Sequence, residues 1–307
     1  MESSRLSLRA GIGLGSTRSL DLAPGPFFDL IETIEALGYD SLWLSDSATL
    51  GGPAPLPTLA AVAARTRKLK LGTNVLVAPP RNPVLLAKEL ATVSALSGGR
   101  LLPAFGLGID LGREAEAMGV PRGERAARAE EAIEIVRALW PGEPVTYAGR
   151  FTTITDVTLA PRPAQDSLDI WLGGSSPAAL RRTGRLADGW LGSFVSPDEL
   201  RDCVGAIVEA AEEAGRQIDD DHYGTTLFAA PDADEVPAEL AALLRRRPEL
   251  AVEDHLALGA EALRVLLDRF VEAGASKFVV VPIADDLPAW LEELREAAIA
   301  PFEHQPA

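Results

Sequence analysis

Cysteine is almost absent from this chain: one in 307 residues, beside three histidines and two methionines. A single thiol rules out an intrachain disulfide framework. Cys203 shares a helical pattern with Val204, Ile207 and Val208, so it reads as a small core residue. Cationic residues are also short: 29 Lys and Arg stand against 45 Asp and Glu, a net charge of −16. A nucleic acid needs a basic face, and so does an anionic membrane surface, so neither is an expected partner. An anionic small molecule has to be met by local donors and individual arginines. No apolar run reaches the roughly 20 residues of a membrane span. The opening Met-Glu-Ser-Ser-Arg-Leu has no hydrophobic signal region, so a cytoplasmic location is expected.

Apolar residues are plentiful at 47%, enough for a substantial core. Abundant Ala, Arg, Glu and Pro suit a high-GC, actinobacterial source. The length suits one large domain, taken as 1–307.

Strand patterns and helical periodicities alternate along nearly the whole chain. Strands are expected at 8–15, 41–45, 70–77, 101–108, 170–172, 190–195, 223–229 and 277–283, with helices between them. The helix over 124–140 sets Ile133, Val136 and Leu139 on one face and Glu130, Glu131 and Glu134 mostly on the other. Two stretches interrupt the alternation. Residues 144–156 read as a small hairpin before the fifth strand, and 232–257 as a polar insertion after the seventh, with a weak helix over 238–246. Alternation means a parallel sheet with helical crossovers. Eight units favour an α/β fold of the (β/α)8 TIM-barrel type over an open doubly wound sheet. The open sheet would need a G-x-G-x-x-G fingerprint, whose spacing Gly11-Ile-Gly-Leu-Gly lacks.

The C-terminal ends of barrel strands locate the active site. Here those ends carry glycine and small residues but none of His222, His255 and His304, so a metal hydrolase is not expected. His255 reads as a surface residue. The most distinctive end is Gly173-Gly174-Ser175-Ser176, between an apolar strand and a helix opening at Pro177. Ser176 is a good N-cap and Pro177 a good first helical residue. The turn reads equally as a tight connection or as an anion cradle at a helix N-terminus. A mouth of glycines and apolar groups suits a large flat cofactor that carries the chemistry itself.

Several segments then resemble the luciferase-like monooxygenase superfamily, and within it the deazaflavin (coenzyme F420)-dependent oxidoreductases. They are Glu35-Ala-Leu-Gly-Tyr-Asp-Ser-Leu-Trp-Leu-Ser-Asp46, Arg65 to Val75, Ser97-Gly-Gly-Arg100 with Gly106-Leu107-Gly108, and Trp171 to Trp190. The resemblance implies a bacterial luciferase-like barrel with F420, or alternatively FMN, at the strand ends. It implies that Gly173, Gly174, Ser175 and Ser176 hold the cofactor phosphate. Asn74 and Val75 would form a non-proline cis peptide against the ring, with Gly106, Leu107 and Gly108 beside it. Arg81 reads as a solvated residue or one reaching the acidic cofactor tail.

The chain departs from the family where many members carry a histidine after Ser-Asp at the second strand: here it has Ser47. The deazaflavin sugar-phosphate dehydrogenases also carry a Trp shortly after and a Glu after the fourth strand; here those positions read Gly51 and about Leu111, with Asp110 or Glu114 as stand-ins. Asp46, Ser47 and Asp110 are the candidate catalytic residues. The expected activity is hydride transfer between F420 and a small organic substrate. The alternatives are an FMN-dependent monooxygenase fed by a separate reductase, and a flavin-binding barrel with little catalysis. A homodimer is expected by analogy with the family.

Overall fold

The computed structural model describes residues 8–15, 20–49, 51–110, 112–165, 168–231, 241 and 248–303. In chain order its strands are β1 (Arg9–Leu14), β2 (Ser41–Leu44), β3 (Lys70–Thr73), β4 (Leu76–Val77), β5 (Leu101–Leu102), β6 (Ala104–Gly106), β7 (Val145–Ala148), β8 (Thr153–Val157), β9 (Trp171–Gly173), β10 (Gly189–Ser193), β11 (Tyr223–Ala230), β12 (Leu256–Leu258) and β13 (Lys277–Pro282). Except for the pair β7 and β8, every pairing is parallel. The ladder runs β1, β2, β3, β5 and then β4, β6, β9, β10, β11, β13, and β13 pairs with β1 again. This curled parallel sheet with helical crossovers is the α/β architecture that the alternation predicts.

The third and fourth expected strands are each split in two. Pro103 has no N–H to give a ladder and separates β5 from β6. Thr73 spans this break: its hydroxyl donates to Ala104 O at 2.8 Å and accepts from Ala104 N at 2.9 Å. The break between β3 and β4 falls at Asn74–Val75, whose peptide is cis.

The helices are α1 (Pro24–Ala36), α2 (Pro55–Arg65), α3 (Pro83–Ser97), α4 (Gly112–Met118), α5 (Arg122–Leu139), α6 (Pro177–Leu186), α7 (Pro197–Glu213), α8 (Ala260–Glu272) and α9 (Leu287–Leu294). Proline opens α1, α2, α3, α6 and α7, where its missing N–H has no intrahelical partner to lose. Ser196 and Glu199 close a capping box on α7. Between sheet and helices lies a core that includes Ile31, Ile34, Leu59, Leu90 and Ile207, all fully buried. Cys203 is buried as expected. Among the described residues no helix is long and apolar enough to cross a membrane.

Inside the sheet, Trp43 and Trp171 pack with Ala104, Leu191 and Val279. Glycines on neighbouring strands make the room. A β-carbon on Gly72 would collide with Trp43, one on Gly189 with Trp171, and one on Gly11 with Ser41 and the Trp43 indole nitrogen bonded to it. Large side chains set against small ones fill the tapering interior of a small barrel.

Three expectations need correction. Glu131 does not face solvent: it is buried and accepts the Phe151 N–H of the hairpin at 3.1 Å. Helix periodicity could not foresee a hairpin folding back over α5. His255 is 1% exposed, with its ring 5.9 Å from that of Phe194, so it is an interior residue. The stretch after the seventh strand ends in β12, which pairs with Phe228–Ala230 of β11. The weak helix expected at 238–246 lies almost wholly outside the described residues.

Candidate active site

A cavity of about 530 Å³ opens at the C-terminal ends of the barrel strands. That volume lies within the usual range for cofactor sites, roughly 300–1,000 Å³. Each predicted cofactor residue lines it: Asn74 and Val75, Gly106 to Gly108, and Gly173 to Ser176. Asp46 and Ser47 line it too.

The cradle forms where β9 turns into α6. Gly174 has φ +102°, a region that favours glycine. Its carbonyl accepts the Trp190 indole N–H at 3.0 Å, which holds the turn against β10. Ser176 is the N-cap, its hydroxyl accepting Ala179 N–H at 3.3 Å. Arg182, which the sequence reading missed, projects from α6 into the cavity lining with 8% of its side chain exposed. It is oriented by Glu130 of α5 at 2.9 Å, and Glu130 also holds Arg185 at 2.7 Å. The signal was available: Arg182 falls one turn beyond Ala179 on the face of α6 that meets the turn.

Next to the cradle, the Val75 side chain leans over two glycines. A β-carbon on Gly106 would overlap Val75 Cγ2, and one on Gly173 would touch Val75 Cγ1 at 3.4 Å. Asn74 is tied to β11 by Nδ2 donating to Thr226 Oγ1 at 3.1 Å, and its carbonyl accepts the Ser45 hydroxyl at 3.0 Å. Phe194 has φ +55°, an uncommon conformation for an aromatic residue. Its ring lies 5.7 Å from that of Phe228, and both line the cavity.

The carboxylates separate by role. Asp46 is nearly buried, accepts Val77 N–H at 2.9 Å and pairs with Arg81 at 2.7 Å. Arg81 is partly exposed and stands outside this cavity's lining; it braces Asp46 and donates to Val77 O at 3.1 Å. Asp110 stands outside the lining, half-exposed, facing Arg122 at 3.1 Å and Arg125 at 3.7 Å. Glu114, on α4, does line the cavity. It is 2% exposed and accepts the Ala48 and Thr49 amides at 2.7 and 2.8 Å together with the Thr49 hydroxyl. Burial pushes its carboxyl up, but the Thr49 hydroxyl and these two amides outweigh that and hold it below its ordinary value.

Comparison with known proteins adds the family and the fold. The sequence profile of the luciferase-like monooxygenases matches residues 8–276. The F420-dependent glucose-6-phosphate dehydrogenase of Nakamurella multipartita is 33% identical over 297 residues, covering 92% of this chain and 85% of that one. Among solved structures, the monooxygenase RslO1 of Streptomyces bottropensis superposes with a TM-score of 0.81 at 22% identity, covering 96% of this chain and 100% of its own. An F420-dependent secondary alcohol dehydrogenase, in complex with an F420-acetone adduct, superposes at 0.81 with 19% identity, covering 97% of this chain and 100% of its own. At those identities the two structures share the fold.

Proposed function

The chain belongs to the luciferase-like monooxygenase family, and from that premise we propose that it is an F420-dependent oxidoreductase acting on a small organic substrate. The observation that carries the reading is the cradle: a glycine turn at positive φ and a capping serine line the cavity together with a nearly buried arginine of the same helix. A phosphate is recognised by such donors at a helix N-terminus. F420, when bound, supplies a carbon that accepts or donates a hydride. Gly173 to Ser176 and Arg182 would hold its phosphate, and Asn74, Val75 and Gly106 to Gly108 would border its ring.

The chain's own groups then divide the work. Val75 and Phe194 exclude water from the ring end. Asp46, neutralised by Arg81, fixes the bend that presents Val75. The Ser47 hydroxyl is the proposed proton carrier at the substrate end, beside the segment that Glu114 anchors. Asp110, turned towards Arg122, has no part in it.

The test is to load purified protein separately with F420 and with FMN. Micromolar retention of F420, with substrate-dependent change in its absorbance, is expected. Retention of FMN with oxygen-dependent turnover, and none of F420, would overturn the reading.

A further inference from the structure

The charges around the cavity are unevenly placed, and their placement restricts what the site accepts. Among the described lining residues, three are charged: Arg182, Asp46 and Glu114. Arg182 stands on α6 beside the cradle, where Glu130 orients it. Asp46 is neutralised by Arg81. Glu114 is different: its partners are two amides and a hydroxyl, which stabilise its negative charge without cancelling it. With the cradle occupied by the cofactor phosphate, the described residues around the remaining space give it a net anionic wall and no second cation. Its other surfaces include the Phe194 and Phe228 rings, Leu191, Ile109 and the hydroxyls of Ser47, Ser193 and Thr226.

We infer that this site selects an uncharged, largely apolar substrate and rejects phosphorylated or carboxylated ones. The inference rests on the proposed F420 reading, because the cradle is then filled by the cofactor. A phosphate or carboxylate brought into low-dielectric surroundings needs a countercharge and its hydrogen bonds. Here it would instead meet the Glu114 carboxylate. A neutral molecule gives up little hydration and finds aromatic faces, with the serine hydroxyls to fix one polar group. The substrate class thus differs from that in the name of the Nakamurella relative, whose phosphosugar brings two negative charges.

The experiment uses one matched series: cyclohexanol, cyclohexanecarboxylate and cyclohexyl phosphate. Each is titrated by ligand-observed NMR into protein whose F420 content has first been measured. Cyclohexanol is expected to bind at least ten times more tightly than either anion. Glu114→Gln is expected to narrow that gap, because it removes the repelling charge. Equal or tighter binding of an anion, or no binding by any member, would overturn the inference. Failure of the functional reading looks different: F420 is then not retained, the cradle stands open to the phosphate of the series, and the inference, which needs a filled cradle, falls with that reading.

Discussion

The side chain of Val75 occupies the space in which a β-carbon of Gly106 would stand. The bend at Asn74–Val75 and the glycine at the end of β6 are therefore one feature. Gly106→Ala should force Val75 out of place, at a cost of about 1–3 kcal/mol for overpacking, and should weaken cofactor binding. Adding Val75→Ala should restore stability, because it removes the clash. Unfolding curves of the two single variants and the double variant check this. Additive effects would mean that the two residues do not meet.

Ser176 allows the cradle to be tested without breaking α6. Aspartate caps helices as well as serine does, so Ser176→Asp should leave the melting temperature nearly unchanged. It should still weaken F420 binding at least tenfold, about 1.4 kcal/mol, by setting a carboxylate against the phosphate. Fluorescence titration of the cofactor reads the effect; unaltered affinity would remove the phosphate from this turn.

At the other end of the barrel, Asp40 accepts from Lys277 at 3.1 Å and faces Lys70 at 3.3 Å. Lys277 is nearly buried. Asp40→Ala leaves that ammonium without its carboxylate and should cost about 3 kcal/mol or more. Chemical denaturation measures it. A loss below about 1 kcal/mol would put this pair in the class of surface ion pairs.

Acid should destabilise the fold through two of these carboxylates. Burial raises Asp40, but the ammoniums of Lys277 and Lys70 outweigh it, so its folded pKa is lowered, as is that of Glu114. Each group binds its proton less readily when folded. Its stabilising contribution is complete above the ordinary carboxylate range, near pH 4, and is lost as the pH falls through the lower folded values. Denaturation midpoints should hold from pH 7 to about 5 and decline below about 4, with a shallower decline in Glu114→Gln.

Much of the fold is legible because parallel strands buried on both faces read as short apolar runs, and the helices between them begin at proline. The cradle is legible because it is local: Gly173 to Pro177 is contiguous, and each residue's preference points to the same turn. What escapes the sequence is produced by partners distant along the chain. Glu131 is buried by Phe151, twenty residues away. His255 is enclosed beside Phe194. Asp110 and Glu114 looked interchangeable, yet only the latter turns inward. The helix that carries it, α4, has no apolar periodicity to announce it.

Trp43 and Trp171, seated against Gly11, Gly72 and Gly189, stopper the barrel below the cavity. A β-carbon at Gly72 or Gly189 would enter the space of an indole ring, so each tryptophan and its glycine can change only together.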